Sequence, residues 1–126
     1  MNLEQLKKIL KEEMEFYQTN GHLDMLMTPG FADKRLYAIH LTETYHYTRH
    51  NSRNQALIAT RYEHINPNYT KFCLKHANEE VGHELMALHD IQSMGYEITE
   101  ATMPEPLPAT KTLIAYLYYV AAHELP

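Results

Sequence analysis

The chain has a single cysteine, Cys73, and lacks tryptophan altogether. One cysteine cannot form an intramolecular disulfide or a CxxC site, so the sequence predicts a protein of a reducing compartment, the cytoplasm. Glycine is also scarce, with four in 126 residues. The glycines form no phosphate-binding loop, and no serine or cysteine nucleophile stands at motif spacing from a histidine and an acid. The familiar nucleotide-binding loops and hydrolase triads are therefore excluded.

Long runs of one residue type are absent as well. The sequence has no cluster of lysine and arginine, and its formal net charge is −5, which argues against nucleic acid or an anionic membrane surface as a partner. The longest apolar run, residues 113–122, is about half as long as a membrane-spanning helix. The N-terminus has no signal-peptide core. With 44% apolar residues the chain can build a core, and we expect one helical domain over residues 1–126.

The apolar residues recur at helical spacing along the chain, and no alternating run predicts a strand. This pattern indicates about four main helices, at roughly residues 2–20, 32–62, 68–94 and 109–123. The second of them is expected to bend near His50. The predicted fold class is therefore all-α.

Helix-ending residues separate the four predicted helices. Asn2 can cap the first helix and Gly21 can end it. A short segment, residues 22–27, then leads to a Thr-Pro-Gly breaker at 28–30. The later breaks are Asn66-Pro67, Gly95 and a proline-rich connector at 99–108. Asn68 can cap the third helix.

Charged and imidazole side chains interrupt the apolar stripe of the third helix, in the stretch 76–89, HANEEVGHELMALH. At about 100° per residue, Glu80 points the same way as Cys73, toward the core. His76 and His83 lie about 40° and 60° to one side of Glu80, so the three side chains can converge on one point. A buried carboxylate with imidazole neighbours needs a partner, and a metal ion is an efficient one.

Purely structural roles compete with this interpretation. A lone histidine on a helix stripe is more often a hydrogen-bonded residue than a ligand, and this applies to His40, His46 and His76 taken singly. The structural explanation is weaker for Glu80 and His83, because the helix face around them is otherwise apolar. The sequence therefore favours Glu80 and His83 as the ligand pair, with His76 as a neighbour.

The second predicted helix carries a similar pattern. His50 falls within about 40° of Glu43 on its apolar stripe, and His46 within about 60°. The pairs Glu43 with His46 and Glu80 with His83 share a Glu-x-x-His spacing, which di-iron carboxylate bundles use. Alternatively, Glu43 forms a salt bridge with a nearby arginine, Arg35, Arg49 or Arg53. Zinc is another candidate metal, but the carboxylates and the helical setting favour iron or manganese.

The last predicted helix is apolar on every side over residues 113–122, LIAYLYYVAA, which predicts that protein surrounds it. The preceding helices can cover only one side. We therefore expect either a homo-oligomer that forms through this helix, or a longer protein of which the chain is the front part.

The run 78–85, NEEVGHEL, resembles the first metal-bearing helix of the heme-oxygenase-like, iron-containing redox enzymes. These are non-heme di-iron oxidases and oxygenases related to the TenA-like helical fold. The flanking runs 43–57, ETYHYTRHNSRNQAL, and 107–126, LPATKTLIAYLYYVAAHELP, also resemble these proteins. The resemblance spans roughly residues 36–126 and is most specific at the EExGH core. It implies a heme-oxygenase-like helical bundle, of which this chain matches the N-terminal part.

The same resemblance implies that Glu80 and His83 bind metal, because a glutamate and a nearby histidine of this helix do so in the family. It further implies two Fe(II) ions, O₂ as co-substrate and oxidation of a small organic substrate. The family's other ligands lie on two later helices without a counterpart here, so the chain is expected to hold part of a site. Four residues are weaker candidates, as ligands or as groups that contact ligands: Glu43, His46, His50 and His76.

Two other functions stay open on the sequence alone. One is a non-catalytic helical module that oligomerises through residues 113–122 and has structural histidines. The other is a heme-binding relative that uses a histidine of the second predicted helix as axial ligand.

Overall fold

A computed structural model describes residues 2–19, 21 and 33–124, and the regular structure of these residues is entirely helical. Within these described ranges lie six helices: α1 (Leu3–Thr19), α2 (Lys34–Thr48), α3 (Asn51–Tyr62), α4 (Pro67–Glu79), α5 (Glu84–Ser93) and α6 (Pro108–His123). The expected all-α fold class is confirmed. Among the described residues, no helix is long and apolar enough to cross a membrane.

The chain divides into two compact units, Met1–Tyr37 and Ala38–Pro126. In the first unit, the Gln5 N–H donates to Asn2 Oδ1 and the Asn2 N–H donates to Gln5 Oε1, both at 2.9 Å. This reciprocal pair satisfies two backbone donors at the start of α1 and confirms Asn2 as its N-cap. The predicted segment 22–27 and the breaker at 28–30 lie outside the described residues.

In the second unit, α3 packs against both α4 and α6. Small buried side chains line these helices, such as Ala59 on α3 and Ala121 on α6. The largest fully buried side chains are Tyr45, Cys73 and Ile91, which come from α2, α4 and α5. Three different helices therefore contribute the large side chains at the core of this unit.

The predicted helix at 68–94 is interrupted in the structure. Helix α4 ends at Glu79, residues 80–83 form a turn, and α5 begins at Glu84. Gly82 has a φ of 85°, a left-handed conformation that costs other residues about 1–2 kcal/mol. The prediction of one continuous helix was wrong, because an isolated glycine in a helical pattern does not by itself reveal the sign of its φ.

The other predicted interruptions are close to those observed. Arg49 and His50 form a turn between α2 and α3, where a bend was expected. Helix α4 starts at Pro67 and is capped by Asn66, whose Oδ1 accepts from the Tyr69 N–H at 3.1 Å. Gly95, with a φ of 93°, follows the end of α5. Asn66 rather than Asn68 is the cap, because proline is well suited to the first helical position.

Tyr45 is the most central side chain that α2 contributes to the second unit. It is 1% exposed. Its hydroxyl donates to Glu100 Oε2 at 3.4 Å, and the guanidinium carbon of Arg49 lies 5.5 Å from the centroid of its ring. Burial raises the pKa of the Tyr45 phenol. Tyr45 thus connects α2 to the segment that links α5 to α6.

Candidate metal centre

The Glu80 carboxylate lies at the centre of a polar group that we call the Glu80 cluster: Glu80, Asn51, His76 and His83. The Glu80 side chain is 14% exposed. Asn51 Nδ2 donates to Glu80 Oε2 at 2.9 Å. The other carboxylate oxygen, Oε1, lies 3.7 Å from His76 Nε2 and 3.5 Å from His83 Nδ1. One oxygen is therefore held by an amide, while the other faces two imidazoles.

Helix ends bring the members of the Glu80 cluster together. Glu80 is the C-cap of α4, and its N–H donates to the carbonyl of His76 at 3.0 Å. His83 occupies the N-cap of α5, and Asn51 is the first residue of α3. The packing of α3 against α4 places Asn51 beside Glu80, although the two are 29 residues apart in sequence.

The two histidines differ in what holds their rings. The ring of His76 stacks on Phe72, with centroids 6.1 Å apart and planes inclined by 15°. His76 Nδ1 also lies 3.7 Å from Glu79 Oε2, so this ring faces two carboxylates. Among the described residues, the polar contact of His83 is with Glu80. Both rings are partly exposed, so an ion from solvent can reach the nitrogens that face Glu80 Oε1.

The donor types of the Glu80 cluster suit a first-row transition metal, since carboxylate oxygen and imidazole nitrogen are both ligands of iron and zinc. However, within the part of the chain that the structure describes, no group of three or more histidines, cysteines, aspartates or glutamates is arranged to hold a metal ion. The cluster therefore fits a metal only in part. Glu80 and His83 can serve as two ligands, and a complete site needs further ligands from outside the described residues.

The second Glu-x-x-His pair binds backbone groups of the segment before α6. The Leu107 N–H donates to Glu43 Oε2 at 3.1 Å. His46 Nε2 lies 2.6 Å from the carbonyl oxygen of Pro104. Among the described residues, no salt bridge joins Glu43 to an arginine. Both side chains therefore hold the connector, which we define as residues 99–107, against α2.

His50 lies in the turn between α2 and α3 and contacts the last helix. Its Nδ1 is 3.0 Å from the hydroxyl of Tyr118, and the two rings meet edge to face at 5.5 Å. Burial, with additional contributions from Arg49, Arg53 and His46, lowers the pKa of His50. A neutral imidazole can accept a hydrogen bond from the tyrosine hydroxyl. This contact fixes the start of α3, the point from which Asn51 reaches Glu80.

We expect His50→Gln to reduce the pH dependence of stability. Because folding lowers the pKa of His50, protonation favours the unfolded chain. The stabilisation is therefore present above the ordinary histidine pKa and is lost as the pH falls through the folded pKa. Urea denaturation at about pH 7.5 and about pH 5 should show a smaller loss of unfolding free energy in His50→Gln than in the unmodified protein. His89→Gln, at an exposed position of α5, is the control. An unchanged loss in His50→Gln would contradict the role of His50.

Asn51 was not predicted to belong to the site. Asparagine is common at turns and helix starts, so the bend at His50 explains its presence without a partner in the site. Its contact with Glu80 depends on the packing of α3 against α4, which no local pattern reveals. Asn51 can be recognised as part of the site only in the three-dimensional structure, where its side chain faces the carboxylate of Glu80.

The chain is similar to a crystal structure of a domain of unknown function with a heme oxygenase-like fold, from Shewanella denitrificans OS217 at 2.30 Å resolution. The two are 45% identical in sequence and superpose with a TM-score of 0.85. The chain has a heme oxygenase-like fold. This confirms the fold that the resemblance of residues 36–126 implied. The match covers 97% of the chain and 53% of that domain, so the chain spans about half the length of the protein it matches.

Two further comparisons gave no match. No protein-family model matches the chain, and no curated protein is significantly similar to it. The heme oxygenase-like fold is therefore the part of the predicted resemblance that the comparisons confirm. Iron binding and redox activity stay predictions.

Proposed function

We propose that this heme oxygenase-like protein is a non-heme iron redox enzyme, to which the chain contributes Glu80 and His83 as iron ligands. The observation that carries the proposal is the largely buried carboxylate of Glu80, with one oxygen facing two imidazole nitrogens at 3.5 and 3.7 Å. The resemblance of the EExGH core to iron-binding relatives supports the same pair. The proposed cofactor is Fe(II), two ions in the complete protein, with O₂ as co-substrate and a small organic molecule as substrate.

Each member of the Glu80 cluster has a distinct part in this proposal. Asn51 occupies Glu80 Oε2, which directs Oε1 toward the imidazoles as the oxygen that binds the ion. His83 Nδ1 is the nearest nitrogen to that oxygen and provides the second ligand atom. His76, which stacks on Phe72, stays a neighbour whose Nε2 lies 3.7 Å from the same oxygen. Bound Fe(II) supplies the electrons that reduce O₂.

The incomplete ligand set determines how tightly the chain alone can bind iron. Carboxylate-bridged iron sites in helical bundles draw ligands from several helices. The chain spans 53% of the similar domain, so we infer that the remaining ligands belong to polypeptide outside the described residues. With two ligands the isolated chain should bind Fe(II) weakly. Binding should weaken further in acid, because imidazole ligands must be deprotonated.

Equilibrium titration with Fe(II) under anaerobic conditions tests this function, followed by exposure to air and a visible absorption spectrum. We expect Glu80→Gln and His83→Ala each to weaken Fe(II) binding by about tenfold or more, since each removes a ligand. Glu80→Gln preserves the size of the side chain and an acceptor for Asn51. Glu97→Gln and His89→Ala, both exposed and outside the Glu80 cluster, are matched controls and should bind as the unmodified chain does. Absence of Fe(II) binding by the unmodified chain, or unchanged binding in either site variant, would refute the assignment.

A second candidate function, a helical module that associates with another copy of itself, is favoured by the surface of α6. Leu113, Tyr116 and Tyr119 are 43%, 57% and 55% exposed. Apolar side chains at spacings of three residues lie on one side of a helix and form a continuous surface. Exposed apolar patches of this kind mark interaction sites. We propose a second copy of the chain as the partner of this surface.

A further inference from the structure

A cavity of about 270 Å³ lies between α2 and the connector. No residue of the Glu80 cluster lines it, so the inference drawn from it does not depend on the proposed iron site. Its lining residues come from one face of α2 and from the connector: Ile39, Thr42, Glu43, Pro104, Glu105 and Leu107.

Two long-range hydrogen bonds build the cavity. Glu43 accepts from the N–H of Leu107, 64 residues away, and His46 binds the carbonyl of Pro104, 58 residues away. These contacts hold two of the three connector residues that line the cavity, Pro104 and Leu107. The shape of the cavity therefore depends on hydrogen bonds between residues far apart in sequence, which form only when the second unit is folded. Glu43 and His46, which the sequence placed among the weaker metal candidates, here shape a separate pocket.

The described side chains that line the cavity offer hydrogen-bond acceptors and no uncommitted donor. The Thr42 hydroxyl donates to the carbonyl of Ala38 at 2.8 Å, which leaves its oxygen lone pairs as acceptors. Glu43 uses Oε2 for the Leu107 N–H, which leaves Oε1 to accept from a ligand. The other contributions to the walls are hydrocarbon, apart from the carboxylate of Glu105. A ligand that matches this lining must donate hydrogen bonds and carry an apolar part.

Charge points to the same chemistry. Two carboxylates, Glu43 and Glu105, line the cavity, and Glu105 Oε2 is paired with Lys111 Nζ at 3.2 Å, whereas no salt bridge is formed by Glu43 among the described residues. An anionic ligand would meet uncompensated negative charge at Glu43. A cation gains a charge-assisted hydrogen bond from the same group.

We propose that this pocket binds a small organic primary ammonium ion. Its N–H groups donate to Glu43 Oε1 and Thr42 Oγ1, and its hydrocarbon chain packs against Ile39, Pro104 and Leu107. The cavity is smaller than the roughly 300–1,000 Å³ that drug-sized ligands occupy, so the hydrocarbon part is limited to a few carbons. A ligand of this size binds weakly, which makes a spectroscopic titration the suitable measurement.

Titration of the ¹⁵N-labelled full chain with n-pentylammonium, followed by ¹H–¹⁵N NMR, tests the proposal. We expect saturable shifts centred on the amides of Glu43 and Leu107. The neutral and anionic isosteres, 1-pentanol and pentanoate, should bind at least tenfold more weakly, because neither delivers a cation to Glu43. Equal binding of the three probes, shifts that do not saturate, or shifts elsewhere on the chain would overturn the proposal.

Two variants separate the ligand contact from the integrity of the connector. Glu43→Gln retains an acceptor for the Leu107 N–H but removes the charge, so it should weaken n-pentylammonium binding by about tenfold while the connector amides other than Leu107 keep their free-state shifts. Leu107→Ala leaves the backbone donor in place and removes a wall, which should weaken binding by a few-fold. Glu97→Gln, an exposed glutamate outside the lining, is the matched control. Unchanged affinity in Glu43→Gln would refute the assigned contact.

Discussion

Tyr45→Ala is expected to lower the free energy of unfolding by about 3–5 kcal/mol, the usual cost of deleting a buried aromatic ring. Tyr45 is 1% exposed, and its ring lies beneath the Arg49 guanidinium at 5.5 Å. The substitution leaves a cavity and also removes a contact between α2 and Glu100. Urea denaturation followed by circular dichroism measures the change, because the helices report on unfolding directly.

Tyr45→Phe is the control that separates the ring from its hydroxyl. The bond to Glu100 Oε2 is long, at 3.4 Å, so its loss should cost about 1 kcal/mol or less. The ring should therefore account for most of the effect of Tyr45→Ala. A loss below about 1 kcal/mol in Tyr45→Ala would contradict the central position of this ring in the core.

The double substitution Tyr116→Glu with Tyr119→Glu is expected to abolish the proposed self-association through α6. In a two-fold symmetric dimer each residue occurs twice, so the variant introduces four carboxylates into one apolar interface. Desolvation and like-charge repulsion should then weaken the dimer by roughly 100-fold or more. Sedimentation velocity over a range of protein concentrations measures the change in dissociation constant.

Lys71→Glu is a matched control for this experiment, since it alters the net charge by the same two units at an exposed position of α4. It should leave the dissociation constant unchanged apart from a modest effect of overall charge. A chain that stays monomeric at every concentration before substitution would refute a second copy as the partner of α6. Equal weakening by Lys71→Glu would show that the effect is not specific to this surface.

Local sequence signals predicted most of the helical architecture, because they act within one or two turns of helix. The cap at Asn2, the proline after Asn66 and the glycine at position 95 each change the backbone where they stand. The split at Gly82 escaped prediction for a physical reason. Glycine is compatible with both helical and left-handed φ, so only the packing on either side selects between them.

In the candidate site, contacts between residues close in sequence were predictable, and contacts between distant residues were not. His76 and Glu80 come together because they are four residues apart at the end of α4, as the helical rotation indicated, while the turn at 80–83 brings His83 beside Glu80. Asn51 comes from 29 residues away, and its contact with Glu80 depends on packing between helices. The contacts of Glu43 and His46 with the connector span 64 and 58 residues, beyond the range of any periodic pattern.

Gly82 also bears on how the proposed ligand pair can be altered during evolution. In one unbroken helix, the positions of residues 80 and 83 would be set by a rise of about 1.5 Å per residue. Here Glu80 follows the last residue of α4 and His83 precedes α5, so their separation follows the angle between two helices. Substitutions remote from both side chains can thus change the preferred ion, by reorienting α5 while each ligand residue is retained.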